Sequence, residues 1–454
     1  MSDTIAAIAT GSQVSAIGIV RMSGPDCIAI TDRLFQPFGK KRFCESEDRK
    51  LVYGNLRDRN GDLLDICLCT LSHGPSSYTG EDTVEIQCHG SPVVLRAVLD
   101  ELFALGARQA GPGEFTKRAF LNHRMELTAA EAVVDIIDAE TVESAKNAAG
   151  QLGGAIAGKI SGIYSELLDM SSHYHAVLDY PDEDIEDFLL ENYLASLAGA
   201  AGNLQALLDS FQHGKIMNSG ILTAIVGRPN AGKSSLLNRL LGYDRAIVTN
   251  IPGTTRDTVE EKMMLGRLCL RLTDTAGIRE TDDAIEALGV QRSRSAMEQA
   301  DLVLAVLDTR EGIAAEDAAL LKELEANRKK AICIISKSDL VQGPAQMPET
   351  TLPCVVISSV TGAGINALEE EVSRLFPSPE VPAGEILTNA RQADAVRRAL
   401  ESICAAQDAV ASGLTPDIVL TEVEGAIAAL GELTGQSIRE DITNRIFSRF
   451  CVGK

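Results

Sequence analysis

The hydrophobic and polar positions change period several times along the chain. Short β-favouring runs at 16–22, 66–71 and 83–87 are broken by clusters of Gly, Pro and Ser. Val94, Leu95, Val98, Leu99 and Leu102 fall at helical spacing, which predicts a helix over 93–105. Residues 1–122 therefore read as mixed α and β. From 123 to about 215 the pattern becomes helical and Ala-rich, over 129–140, through Leu168, and over 194–211. An acidic cluster, Tyr180-Pro181-Asp182-Glu183-Asp184-Ile185-Glu186-Asp187, interrupts it and reads as a solvated turn with an acidic helix start.

At 221–226 an apolar β run begins, and strand–helix alternation continues to about Leu375. The runs 268–272, 302–307, 331–335 and 355–357 have the continuous apolar character of buried parallel strands. Helical stretches between them supply the crossovers of a doubly wound sheet. Pro377-Ser378-Pro379-Glu380-Val381-Pro382 then reads as a linker.

 The helical pattern then returns: Thr415-Pro416 resembles a helix start with Pro in the first turn, and Ile438, Ile442 and Ile446 lie four apart on one face.

Composition narrows the class. The 454 residues leave room for about three domains. A net charge of −22 argues against broad, non-specific nucleic-acid binding but leaves room for a local basic patch. Trp is absent and aromatic residues are few, so no single-strand stacking platform is expected. No apolar run reaches the roughly 18 residues of a membrane span. The start Met1-Ser2-Asp3-Thr4 lacks the features of a signal peptide. Ten scattered cysteines carry neither a CxxC pair nor zinc spacing, which fits reduced thiols and a cytoplasmic protein.

The strongest chemistry follows the 221–226 run. Gly227-Arg228-Pro229-Asn230-Ala231-Gly232-Lys233-Ser234 between a strand and a helix has the form of a P-loop. Its backbone N–H groups can cradle phosphates, Lys233 can reach the β- and γ-phosphates, and the Ser234 hydroxyl can ligate Mg²⁺. Asp274-Thr275-Ala276-Gly277 ends a later strand, where the carboxylate would hold Mg²⁺ through water and a Gly N–H would face the γ-phosphate. Between them, Gly253-Thr254-Thr255-Arg256-Asp257 offers Thr255 as the second Mg²⁺ hydroxyl. Ser336-Lys337-Ser338-Asp339 occupies the place of the guanine reader, with Asp339 accepting from the guanine ring. Ser358, Ser359 and Val360 stand where the last base-contacting loop belongs. Together they imply GTP as substrate and an α/β multidomain chain: an N-terminal α+β domain (1–122), a helical domain from two separated segments (123–219 and 378–454), and an inserted Ras-like P-loop GTPase domain with a doubly wound sheet (220–377). Ser336 replaces the usual Asn, so the amide that would brace the P-loop and the base becomes a hydroxyl, and guanine affinity is expected to fall while selectivity survives.

Hydrolysis needs a group that orients water. Ile278 follows Gly277 and cannot do so, which leaves Glu280, Asp282, Asp283 and Glu286 open on spacing alone.

The segment Asn230 to Ser235, the stretch Ala246-Ile247-Val248-Thr249-Asn250-Ile251-Pro252-Gly253-Thr254-Thr255-Arg256-Asp257, and the ending Phe450-Cys451-Val452-Gly453-Lys454 resemble the tRNA-modification GTPase family MnmE, also called TrmE. N-terminal phrases resemble it too: Ile17-Gly18-Ile19-Val20-Arg21-Met22-Ser23-Gly24, Tyr78-Thr79-Gly80-Glu81-Asp82, and Gly111-Pro112-Gly113-Glu114-Phe115-Thr116-Lys117-Arg118-Ala119-Phe120. The resemblance implies a K⁺-activated GTPase whose G domains pair across a homodimer. It implies K⁺ ligands at Asn230, Thr249, Ile251 and Thr254, nucleotide contacts along Asn250, Pro252 and Gly253, a mobile switch at Arg256 and Asp257, and a water-positioning Glu286. It further implies that the N-terminal domain dimerises and binds a formyl- or methylene-tetrahydrofolate through Arg21, Glu85, Arg124 and Lys454. Arg124 stands where the family also uses Lys. Cys451 reads either as a partly buried thiol beside Phe450 or as a participant in one-carbon chemistry. The implied partners are an FAD-containing MnmG-type protein, in a heterotetramer, and tRNA reached through that complex; no membrane is implied. His89 and His173-Tyr174-His175 have no metal-site companions and read as structural or surface residues. A regulatory GTPase switch is the main rival, but it accounts for neither the N-terminal phrases nor the ending. A general P-loop ATPase conflicts with Asp339.

Overall fold

The structure is a computed structural model that describes residues 3–11, 13–180, 186–243, 261–272, 296–341, 343–377, 381–435, 446–448 and 450–453. The N-terminal part contains strands β1 (Ile5–Ile8), β2 (Ile17–Ser23), β3 (Phe35–Pro37), β4 (Val52–Arg57), β5 (Leu63–Ser72), β6 (Thr83–His89) and β7 (Arg108–Gln109). Helices α1 (Cys27–Leu34), α2 (Pro92–Ala104) and α3 (Glu114–Leu121) accompany them. A helical stretch follows: α4 (Leu127–Asp138), α5 (Val142–Leu152), α6 (Ala155–Asp179) and α7 (Leu194–Ser219). Next come β8 (Ile221–Val226), α8 (Lys233–Tyr243), β9 (Glu261–Leu265), β10 (Leu268–Leu272), β11 (Leu302–Asp308), α9 (Ala315–Ala326), β12 (Ala331–Ser336), β13 (Cys354–Val356) and α10 (Ile365–Leu375). Helices α11 (Ala390–Ala411) and α12 (Pro416–Thr434) follow, and short 3-10 helices occur at Phe43–Glu45, Leu190–Tyr193 and Ser338–Leu340. By backbone proximity the chain forms two compact units, one of residues 1–134, 150–202 and 395–454, the other of 135–149 and 203–394.

The first unit holds a seven-stranded sheet in the order β3-β4-β5-β6-β2-β1-β7, antiparallel except where β1 and β7 run parallel. Alternation dictates its buried face: Cys67, Cys69 and Leu71 of β5 and Val84, Ile86 and Cys88 of β6 are buried. The stripe expected over 93–105 is realised in α2, where Leu95, Val98, Leu99 and Leu102 join that core and Pro92 occupies the first turn. Helix α12 packs along α6 within the same unit.

The second unit has a six-stranded sheet in the order β13-β12-β11-β8-β10-β9. Apart from β9, its strands are parallel. One apolar cluster includes Leu236, Leu240, Leu304 and Leu368, and a second includes Val303, Ala305, Leu321 and Cys333. Successive β11 residues thus feed opposite faces, which is why this strand is buried at every position and its sequence shows no alternation. Strand β9 was not anticipated. It forms a hairpin with β10 at Gly266, whose φ of 60° suits a glycine. Helix α7 also runs beyond the expected 211 and passes into β8 through Gly220, at φ 74°.

After the linker the chain is clamped inside this unit. Asn147, buried in α5, accepts from Gly384 N (2.8 Å) and Ile386 N (3.4 Å) and donates Nδ2 to Ile386 O (3.1 Å). Ser210 Oγ accepts from Leu387 N at 3.1 Å. Gly214 lets this strap lie close, since a Cβ there would stand 1.9 Å from Leu387 O. Ile438 and Ile442 of the expected terminal helix lie outside the described residues. Replacing Asn147 by Ala strands two buried N–H groups and a carbonyl, so Asn147→Ala is expected to destabilise by about 2–3 kcal/mol. Urea unfolding that shows no loss of stability would contradict this clamp.

Candidate functional site

Strand β8 ends in the loop 227–232, which leads directly into α8. Gly227 has φ 145°, and a Cβ there would lie 2.2 Å from Val306 O on β11, so the loop can pass only as glycine. Asn230 (φ 58°) and Gly232 (φ 103°) also take left-handed conformations. These turns deliver the loop to the N-terminus of α8, where unpaired N–H groups favour an anion. Lys233 folds back over the loop, its Nζ donating to Gly227 O (2.8 Å) and Arg228 O (2.7 Å). Burial pushes its pKa down, a cost that bound phosphate would offset. Ser234 is half-buried and Ser235 exposed in the first turn of α8.

Strands β11 and β12 brace the same loop from below. The buried Ser336 hydroxyl lies 2.5 Å from Ala231 O and 2.9 Å from Leu307 O. The hydroxyl therefore reaches the P-loop, so the brace expected to be lost with the missing amide is present in another form. Lys337, left-handed at φ 59°, donates Nζ to Asn230 O (2.5 Å) and to Asp308 Oδ2 (2.6 Å). Arg310 closes on the other side of the Asp308 carboxylate, at 2.8 Å to Oδ2 and 3.2 Å to Oδ1. Its guanidinium, followed by the Lys337 ammonium, holds the carboxyl well below the usual carboxylate range against the opposing effect of burial.

Asp339 and Ser358 follow the adjacent strands β12 and β13, and parallel pairing brings them together: Ser358 Oγ donates to Asp339 Oδ1 at 2.6 Å. Asp339 is exposed, Ser358 buried, Ser359 half-buried and Val360 77% exposed. The P-loop, Lys337, Asp339 and Ser358 thus converge at the carboxyl ends of parallel strands, where open α/β sheets bind ligands. Thr249, Asn250, Ile251, Pro252, Gly253, Thr254, Thr255, Arg256, Asp257, Asp274, Thr275, Ala276, Gly277, Glu286 and Lys454 lie outside the described residues.

Two supports escaped the sequence reading. Asp308 was one, although a carboxylate ending an otherwise apolar run was a legible signal. The other is Asp317, fully buried at the start of α9, which accepts from Arg228 Nε at 2.9 and 3.0 Å and from Ala314 N at 3.1 Å. Nothing local to either residue indicates that Arg228 would reach it.

The first unit gathers a second set of polar residues. Arg21 and Glu85 face each other across β2 and β6, with Arg21 Nε donating at 2.8 Å. Their side chains are 20% and 30% exposed. The Arg21 guanidinium lies 5.6 Å from the Tyr78 ring centroid and 5.7 Å from that of Phe115. The C-terminal segment reaches this place: Pro112 bridges Val452, Gly113 N donates to Cys451 O (3.3 Å), and Arg21 Nη1 donates to Gly453 O (3.5 Å). Cys451 is exposed, which corrects the expectation of a partly buried thiol; it is Phe450 that is buried. Arg124 is exposed and donates Nε to Ser77 O at 3.1 Å. His89 pairs with Asp65, while His173 contacts Tyr193 and the Glu186 carbonyl. Among the described residues no cluster of His, Cys, Asp and Glu could hold a metal ion. Nor is any described helix long and apolar enough to cross a membrane.

Comparison with known proteins decides the family. Residues 4–124 match the model of the GTP-binding protein TrmE N-terminus, and residues 127–451 match that of the MnmE helical domain. The chain belongs to the MnmE family. A tRNA modification GTPase MnmE of Symbiobacterium thermophilum is 42% identical, over 100% of this chain and 99% of its own. MnmE proteins so named from a Roseiflexus species and from Alkaliphilus oremlandii are 43% and 39% identical, each over 100% of this chain and at least 99% of theirs. Among solved structures, an Era protein of Aquifex aeolicus bound to GDP and aluminium fluoride is 29% identical where matched, covering 42% of this chain and 66% of its own. Its TM-score is 0.27, and at that value the likeness adds nothing to the assignment.

The MnmE-type P-loop here rests on the Ser336 hydroxyl. Ser336→Ala removes a donor from buried carbonyls at a cost of about 1–2 kcal/mol, so GDP affinity is expected to fall roughly 5- to 30-fold. Preference for guanine over adenine should remain, because Asp339 is untouched; titration with fluorescent GDP and ATP checks both. The pH behaviour of Asp308 follows from its depressed pKa. Its pairing is fully present above the ordinary value of 3.8 and is lost only as pH falls through the lower folded value. GDP affinity between about pH 5 and 9 should therefore show no step due to Asp308. A step in that window that vanishes in Asp308→Asn would contradict the assignment.

Proposed function

We propose that the chain is a GTP hydrolase acting in tRNA modification, with an FAD-containing MnmG-type partner. Together they add a carboxymethylaminomethyl or aminomethyl group to C5 of the wobble uridine, using a tetrahydrofolate one-carbon donor. The observation that carries this reading is full-length identity of about two-fifths to relatives named tRNA modification GTPase MnmE, in a chain whose P-loop is braced from the segment that holds Asp339. The domain arrangement proposed is an N-terminal folate-binding and dimerisation domain, with a G domain inserted between two parts of a helical domain.

GTP would lie along the P-loop, with Asp339, Ser358, Ser359 and Val360 toward the base. Ser234 and Thr255 would hold Mg²⁺, and Asp274 would reach it through water. Asn230, Thr249, Ile251 and Thr254 would hold K⁺. Asn230 fits such a role: its carbonyl is engaged by Lys337, while the residue itself is exposed and its amide oxygen is a hard donor. A monovalent cation held by these residues would supply positive charge to offset the negative charge that develops on the phosphates. Glu286 would orient the attacking water, and Arg256 would belong to the switch beside it.

Arg21, Glu85, Arg124 and Lys454 would bind the folate. The donor set fits that ligand, since guanidinium and ammonium groups suit its glutamate carboxylates and a carboxylate suits the pterin N–H groups. The exposed Cys451 stands on the segment that approaches Arg21 and is available to one-carbon chemistry there. The protein would work as a cytoplasmic homodimer, in a heterotetramer with its partner, without a membrane.

Nucleoside analysis of tRNA from a strain lacking the gene should show loss of the wobble-uridine modification. The intact gene should restore it and Glu286→Ala should not; unchanged modification in the deletion strain would sink the proposal. Replacing K⁺ by Na⁺ should slow GTP hydrolysis at least tenfold, a rough figure for losing one transition-state charge contact. Arg21→Ala should abolish calorimetric binding of formyl-tetrahydrofolate while leaving GTP hydrolysis in place.

A further inference from the structure

An open groove of about 570 Å³ lies in the first unit, and none of its lining residues belongs to either set described above. It is built by the end of α1, strand β3 with the segment after it, the β4–β5 turn and Leu105. Six of its lining residues are cationic: Arg33, Lys40, Lys41, Arg42, Arg57 and Arg59. Only two, Asp32 and Asp58, are anionic. A lining of 6 − 2 = +4 is the reverse of a chain whose net charge is −22.

Both carboxylates are already engaged. Asp58 Oδ1 accepts from Asn60 N (2.9 Å) and Asp62 N (2.8 Å), which shapes the turn. Asp32 accepts from Cys44 N at 3.1 Å and pairs with Arg42. Arg59 pairs with Glu101 at 2.8 Å, and Arg57 Nη1 donates to Gly61 O at 2.8 Å. Arg33, Lys40 and Lys41 are exposed and have no ion-pair or hydrogen-bond partner among the described residues. Fixed pairs thus hold the walls while three cations remain free to meet an anion. A water occupies about 30 Å³ of liquid, so the groove is far roomier than one phosphate requires. A run of negative charges, as on a nucleic-acid backbone, suits an open groove with this excess of cations.

We propose that this groove binds the phosphate backbone of tRNA, so that an otherwise acidic chain contributes its own RNA contact. The inference rests on the reading that the chain acts on tRNA, and it names the surface involved. Contacts of this kind position the RNA without reading its sequence.

The test is tRNA binding by the full-length chain, measured by fluorescence anisotropy over a range of salt. The triple variant Arg33→Gln, Lys40→Gln, Lys41→Gln should weaken binding about 10- to 100-fold at low salt and reduce the log–log salt slope by about 2–3. Lys40→Arg with Lys41→Arg should keep wild-type binding. GTP hydrolysis without tRNA should be unchanged in every variant, which shows that the chain is folded. As a measurement needing no substitution, bound tRNA should protect Lys40 and Lys41 of the wild-type chain from amine-reactive labelling. Unchanged affinity and slope, or absent protection, would overturn the proposal. Equal competition by millimolar inorganic phosphate would overturn it in favour of a small-anion site. Intact tRNA binding with loss of a protein partner in the variant would assign the groove to an acidic protein. None of these outcomes bears on wobble-uridine modification in the deletion strain, so the two readings fail separately.

Discussion

A loop that turns its N–H groups inward to cradle phosphate must send its carbonyls the other way, and those carbonyls need donors. In this chain side chains supply several of them. Lys233 takes the carbonyls of Gly227 and Arg228, Lys337 takes that of Asn230, and Ser336 takes that of Ala231. Much of the second unit follows from that requirement. Ser336 can reach the loop because β12 and β8 both flank β11, and Gly227 can lie against β11 because it lacks a Cβ. Asp308 then balances the lysine that does the reaching. The segment that carries Asp339 and the phosphate loop are therefore mechanically joined.

In the first unit, ion pairs rather than carbonyl donors hold the polar region. Arg118, nearly buried, donates to Asp3 O, Asp3 Oδ1, Glu81 and Glu114 at 2.7–3.2 Å. Glu81 also accepts from Ser23 at the end of β2 (2.8 Å). The network ties the first strand, the loop after β5 and α3 into one frame behind Arg21 and Glu85. Arg108 is the main reason the Asp3 carboxyl is lowered to about 2. Thiol chemistry is confined in the opposite way: burial pushes Cys27 and Cys269 up to about 12, which disfavours their thiolates, while Cys451 is exposed on the segment whose Gly453 carbonyl meets Arg21.

Much of the fold was legible because its signals are local. The helical stripe of α2 and the uninterrupted apolar runs of β8, β11 and β12 record which faces are buried. The antiparallel β9 was missed because Glu261-Lys262-Met263-Met264-Leu265 holds two charges and two methionines and lacks the β-branched or aromatic residues that mark a strand. The P-loop and Asp339 were legible as motifs, whereas the consequence of Ser336 was not. Chemistry alone suggested that a hydroxyl in place of the amide would lower guanine affinity, but its short side chain reaches Ala231 O because the loop comes close. Cys451 was misjudged for a related reason: adjacency to a buried Phe450 says nothing about the side on which the next residue emerges.

By itself, the sequence determined the types of most elements, the order of the P-loop and the Asp339 and Ser358 segments, and the family, since each depends on neighbouring residues or on a pattern read along the chain. Tertiary structure decided which groups complete one another. Ser336 meets Ala231 across 105 positions, Lys337 meets Asn230 across 107, and Asn147 meets Ile386 across 239. Strand order and chain return set those distances, and neither is encoded in local periodicity. The basic groove follows the same rule. Arg33, Lys41 and Arg57 are unremarkable charges in the sequence, and they become a patch only because β3 and β4 pair at the sheet edge while the two lining carboxylates are engaged in local contacts.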